Sequence, residues 1–483
     1  MKKGLLAKKS IGTLLKESSD AKHGLKRALG PLNLTAMGVG AVIGAGLFVL
    51  TGEVAAKFAG PGLILSFIIA AIICVFAALC YAEFASLIPI AGSAYTYAYV
   101  TMGEFFAWII GLALTLQYLF SFSTVAVGWA SYLKSLLADF GIAIPSFFSQ
   151  APLSYETGMG WMTTGSIINL PALIIVGLIG LLVSVGVKTA SFLNNILVFV
   201  KIGVILLFIL CGVAYINPDN WVPFVPPNTG TFGEFGWSGV FRGAGIIFFA
   251  FLGFDAVSTL AQESKNPQKD MPIGMLGSLG ICTILYIIFG LVLTGVASYT
   301  TLGVPDPIAV AVNALGPNFT WLRLLVKLAI LAGLTSVILV MLMGQARIFY
   351  TMAHDGLLPK SFGKIHSKFR TPFFTTLCVT GAGMLLAGFF PVDILGQLTS
   401  MGALFVFGMV CFGVLILRFK QPHLHRPFKT PFTPWVPLIG TLACFVQMLL
   451  MPGVAWMQLI VFMVLGCAVY FAYGQKHSKI RNG

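Results

Sequence analysis

Three features of this chain have residue types and positions that could do chemistry: Lys201, Asp255 and a cluster of four glycines. Lys201 lies within the apolar stretch 191–209, about ten residues from either end of the span read there. An amine that deep cannot easily snorkel to water, and desolvated it can gain and lose a proton. The plainer reading is a lysine permanently paired with a buried carboxylate. Asp255 interrupts the apolar run 245–257 just after Gly253. A carboxylate at that depth is costly and points to function; capping of the helix that follows is the expected role, with proton carriage the alternative. The glycines stand at 38, 40, 44 and 46 inside the run 34–50. Each weakens a helix interior by roughly 1 kcal/mol, so together they favour unwinding.

The elements that must position these groups are helices in a bilayer. Of the 483 residues, 58% are hydrophobic and 9% charged, against about 25% charged in soluble domains; the mean hydropathy is +0.95. Twelve spans are read, starting near 33, 62, 95, 168, 190, 240, 273, 321, 372, 394, 433 and 454. With the N-terminus inside, 23 of the 29 basic residues fall on the cytoplasmic side. The net charge of +14 therefore serves topology by the positive-inside rule, with both termini cytoplasmic, rather than nucleic-acid binding. Residues 1–32 and 475–483 read as tails, 33–420 as a ten-helix core, and 421–474 as two added helices.

Spans 1 and 6 carry the breaks, at corresponding places in spans 1–5 and 6–10. Paired interruptions of this kind mark an inverted repeat with a substrate site between its halves. If span 1 unwinds at 43–46, free N–H groups of its second half suit a carboxylate. The carbonyls freed from its first half suit an ammonium, so the site is built for a zwitterion. Gly40 and Gly44 also form GxxxG, for which close helix packing is the alternative.

Other polar groups are less specific. Thr335 and Ser336 in span 8 could coordinate Na⁺ with the span 1 carbonyls or bond their own helix backbone. An ammonium from Lys201 in the same place would replace the metal ion. Gln117 in span 3 is a neutral group that could face the cavity. Phe251 and Phe254 read as walls or gates, and Glu83 and Glu104 as contacts near the inner ends of spans 2 and 3. Segment 307–316 is too short to cross and reads as a peripheral, external gate helix. The eight cysteines show no CxxC pair, and no P-loop, catalytic triad, metal-ligand cluster or signal peptide is present. An enzyme is not supported.

Four stretches in order along the chain, 38–48, 89–97, 253–256 with 263–267, and 344–359, resemble the amino acid–polyamine–organocation superfamily. The likeness is strongest to bacterial relatives of the cationic amino acid transporters. It implies an all-α LeuT-like fold and amino acid transport by alternating access in the plasma (bacterial inner) membrane. It implies a carboxylate site at Ile43, Gly44, Ala45 and Gly46 with Phe251 nearby, and Lys201 in place of a sodium ion. No cofactor is expected beyond the proton gradient, and the partners are an amino acid and the bilayer, with the oligomeric state open. Cationic members usually carry Glu where this chain has Gln117, which favours neutral over cationic substrates. A Na⁺-coupled or exchange-only carrier is the alternative.

Overall fold

Proline and glycine set where most of the helices begin. Pro31, Pro267 and Pro307 occupy the first helical position of α1 (Pro31–Val42), α9 (Pro267–Val296) and α10 (Pro307–Ala314). There the missing N–H costs nothing and φ is already helical. Gly60-Pro61-Gly62 turns the chain into α2 (Leu63–Leu87). The computed structural model describes residues 4–10, 12, 29–44, 46–90, 92–156, 160–185, 187–304 and 306–482. Most of the expected N-terminal tail, and Ala45 of the expected carboxylate site, lie outside them.

Between these come α3 (Ser93–Thr101), α4 (Glu104–Thr115), α5 (Ser121–Asp139), α6 (Leu170–Val185), α7 (Val187–Val213) and α8 (Gly236–Ile247). After them come α11 (Thr320–His354), α12 (Phe373–Phe389), α13 (Val392–Lys420), α14 (Trp435–Leu449) and α15 (Gly453–Val469). Among the described residues, eight helical stretches are long and apolar enough to cross a membrane, and four shorter apolar helices accompany them. Their outer faces carry bare Leu178, Leu210, Ile284 and Val464, surface that only lipid would solvate. The stretch Gly236–Ala261 is by contrast wholly buried at its apolar centre. Around it, α9 packs on α1 and α2, while α11 packs on α5 and α7.

One expectation needs correction. The span expected to start near 95 is two helices, because α3 ends at Thr101 and Gly103 adopts φ +103° before α4. The turn also makes room for the N-terminal segment. A Cβ on Gly103 would lie 2.7 Å from the Leu6 carbonyl carbon, and Glu104 and Phe105 donate N–H bonds to Ala7 and Leu5. The helical class stands, with one small addition in a loop. An antiparallel hairpin, β1 (Leu153–Glu156) on β2 (Gly160–Thr163), shapes the long loop between α5 and α6. Tyr155, Trp161 and Thr163 supply the aromatic and β-branched character for it.

Candidate functional site

The first break follows α1. Ile43 turns to extended geometry (φ −73°, ψ 102°), and a π-helical turn, Gly46–Leu50, begins just beyond. Leu47 and Phe48 both donate N–H bonds to the Gly44 carbonyl, closing the new turn. The end of α1 leaves carbonyls without helical partners, and buried side chains take them. The Lys201 ammonium, on α7 and fully buried, donates to the carbonyls of Gly40 and of Ile43 (2.8 Å) and to Ser336 Oγ (3.0 Å). Tyr286 Oη lies 3.0 Å from the Val42 carbonyl, and Tyr132 Oη donates to Phe48 (2.6 Å).

The second break lies at 252–254. Phe248–Phe251 tightens to a 3₁₀ turn, Leu252 is extended, and Gly253 takes φ +123°. Its Cβ would stand 2.6 Å from the Ala41 carbonyl carbon, so glycine is required for both conformation and space. The breaks touch. A Cβ on Gly46 would fall 2.2 Å from Ala250 Cα. Tyr286 Oη is also 2.9 Å from the Ala250 carbonyl, so one hydroxyl lies between the two breaks.

Asp255 departs from its expected role. No side chain caps the 3₁₀ helix Asp255–Glu263. The carboxylate instead accepts from Gln117 Nε2 (2.9 Å), Tyr118 Oη (2.9 Å) and the Gly253 N–H (3.2 Å). It faces back toward the break because three donors converge there, more than a cap would offer. Gln117 is correspondingly engaged with this carboxylate, and its buried Oε1 has no partner.

The remaining candidates divide. Phe251 packs on Phe67 and Tyr286, and Phe254 on Tyr81 and Phe407. Ser336 joins the Lys201 cluster, whereas Thr335 Oγ1 bonds the Leu331 carbonyl of its own helix (2.7 Å). Glu83 pairs with Arg418 and Arg426, and Glu104 accepts from Tyr99, Tyr470 and Ser478. None of these partners belongs to either break. α10 packs against the turn Gly46–Leu50 that follows the first break, with Ile308 and Val312 buried. Tyr286, Tyr132 and Tyr118 were missed in the sequence. Each is one aromatic in a long apolar helix, and nothing local marks its hydroxyl as turned toward a break.

The arrangement holds an amine on acceptor carbonyls at one break and a carboxylate on donors at the other, with Gly44 and Gly46 between. Groups of both signs thus meet the interrupted backbone, an amine at one break and a carboxylate at the other.

The family model described as amino acid permease matches residues 29–474. The chain is 44% identical to a methylthioribose transporter of Bacillus subtilis, over 98% of both chains. It is 42% identical to a branched-chain amino acid permease of the same organism, over 99% of this chain and 100% of that one. A human cationic amino acid transporter matches at 34%, over 88% of this chain and 67% of the relative. The chain belongs to the amino acid permease family. It is a helical membrane transporter and not an enzyme.

Proposed function

We propose that this permease is a proton-coupled importer of neutral amino acids working by alternating access. The observation that carries the reading is the Lys201 ammonium seated on the Gly40 and Ile43 carbonyls and Ser336 Oγ. A cation fixed to the protein holds acceptors that a sodium ion would otherwise take, and it can be loaded or emptied by a proton alone. Losing that proton removes the charge and one of the three N–H donors, which weakens the hold of α7 on α1 and α11 and ties protonation to movement of the first half-helix.

In this reading the chain crosses the membrane twelve times, with α1 and 46–59 forming the first span and Gly236–Ala261 the broken sixth; the eight long apolar stretches and four shorter apolar helices among the described residues support it. Residues 33–420 form a LeuT-like inverted repeat of ten helices and 421–474 add two, in the plasma membrane with both termini cytoplasmic. The substrate carboxylate meets the backbone at 43–46, and Phe251 and Phe254 wall the site. Neutral substrates are favoured because Gln117 brings no charge and Asp255 is held by three donors. The branched-chain permease and the methylthioribose transporter, by their names, also handle uncharged side groups.

In proteoliposomes, an inward proton gradient should drive accumulation of isoleucine or alanine without sodium, and Lys201→Ala should abolish it while some binding persists. Undiminished accumulation in that variant, or a sodium requirement in the unmodified protein, overturns the reading. Thermal stabilisation by isoleucine, alanine, methylthioribose and arginine ranks the substrates, since a bound ligand raises stability by mass action.

A further inference from the structure

Lys201 cannot exchange its proton where it stands. It is fully buried, and the described residues give it no carboxylate partner. Around it, α1 presents backbone carbonyls, α11 presents Ser336, and α9 presents Cys282 as the other ionisable group.

Seven residues toward the start of α7, on the same helix face and about 10 Å along its axis, lies Asn194. It is 1% exposed, and among the described residues neither its Oδ1 nor its Nδ2 has a partner. Buried amides are nearly always satisfied, so this one needs an explanation. Asn194 lines a cavity of ≈ 30 Å³ shared with Met37, Ala41, Thr259, Met343 and Arg347. That is room for about two water molecules, and the amide supplies the donor and acceptor that a water requires.

Between Asn194 and Lys201 stands Val198, buried against α1. A Cβ on Gly40 would lie 2.5 Å from Val198 Cγ2 and 3.7 Å from Asn194 Nδ2. The absent Cβ at Gly40 is therefore what lets the valine close on α1. The same Gly40 carries the carbonyl that holds the ammonium.

We infer that Asn194 is a positioning residue for water that carries the Lys201 proton to the cytoplasmic side, and that Val198 seated on Gly40 is the apolar plug of this path. The inference rests on the proton-coupled reading above. When α1 moves away from α7, the Val198–Gly40 contact and the Gly40–Lys201 bond open together. Water held by Asn194 then reaches the amine, takes its proton as hydronium and leaves a neutral amine. Proton release is thereby confined to the state in which α1 has moved.

The test uses full-length protein in proteoliposomes with trapped pyranine. Asn194→Leu should cut proton-driven isoleucine uptake about tenfold while isoleucine counterflow, which needs no net proton release, stays unchanged; Asn194→Asp should restore the uptake. Val198→Ser should raise the substrate-free proton leak, and Lys201→Ala in the same chain should remove that leak. Equal loss of uptake and counterflow in Asn194→Leu, or no change in either, overturns the inference. If Asn194→Leu does not insert, Val198→Ser without a leak overturns it alone. Lys201→Ala run in parallel reports separately on the coupling reading, since uptake that survives there fails that reading whatever Asn194 does.

Discussion

At the first break, acceptors left by the end of α1 are met by an amine, Lys201, carried on α7. At the second, a carboxylate, Asp255, collects donors from α4–α5 and from its own backbone. The two buried charges are not paired with each other; each completes a different backbone interruption. The difference teaches what each break can do. An amine on carbonyls can be discharged by losing one proton, which costs it one N–H donor and its charge and so loosens α1. A carboxylate held by Gln117, Tyr118 and the Gly253 N–H sits among three converging donors, which fix its geometry. The first break is the movable one and the second is its anchor.

The sharpest way to break that comparison is at the glycines, where the two breaks meet. Gly46→Ala should be the most damaging change. Its Cβ would fall 2.2 Å from Ala250 Cα, a backbone neighbour that cannot rotate away. We expect a loss of about 2–3 kcal/mol and a large fall in folded yield by size-exclusion chromatography. Gly44→Ala separates binding from packing. Its Cβ would meet Val337 Cγ2 at 3.0 Å, a side chain that can shift. That variant should fold with a near-normal Tm but bind isoleucine about tenfold more weakly. Normal affinity in Gly44→Ala would mean that the glycines serve packing only.

Much of this scaffold is legible in the sequence, and the limits have physical causes. Helices expected near 62, 321 and 372 start at Leu63, Thr320 and Phe373 because Pro, Gly or an aromatic-rich turn precedes each. The interruption at 43–46 is visible because glycine acts locally, through backbone entropy. The turn at Gly103 escaped notice because the N-terminal segment packed there is distant in sequence. The direction of Asp255 was misread for the same reason. A cap is a local habit, whereas Gln117 and Tyr118 reach it from more than 130 residues away. Asn194 stood in plain view beside Lys201, yet only burial without partners marks it.

Tyr286→Phe sharpens the comparison at its shared point. The hydroxyl lies within hydrogen-bond distance of Val42 and Ala250, one carbonyl from each break. Removing it leaves both acceptors buried and is expected to cost about 1–2 kcal/mol. If the first break is the movable one, the loss should show as a lower Tm together with faster isoleucine counterflow, since α1 is less firmly tied to the anchor. A lower Tm with unchanged counterflow would mean that the hydroxyl only stabilises.

The smallest effect, and the most informative about substrate, is expected from Gln117→Glu. On the sequence alone the change should add a charge that draws arginine or lysine into the site. The geometry alters that expectation. Gln117 Nε2 is 2.9 Å from Asp255 Oδ2, so the new carboxylate would face an existing one at hydrogen-bond distance. Two carboxylates so placed hold one proton between them, and at low pH the pair carries no more charge than Asp255 alone. The added charge emerges only as pH rises. Arginine affinity relative to alanine, measured by thermal shift, should therefore increase with pH in Gln117→Glu and stay flat in the unmodified protein. The gain should be about fivefold, or roughly 1 kcal/mol, because Asp255 keeps its other two donors and the anchor stays in place. Tight arginine binding by the unmodified protein, with alanine failing to compete, would show instead that uncharged Gln117 and the break carbonyls suffice for a cation. The neutral assignment would then fall, while the division between a movable and an anchored break would stand.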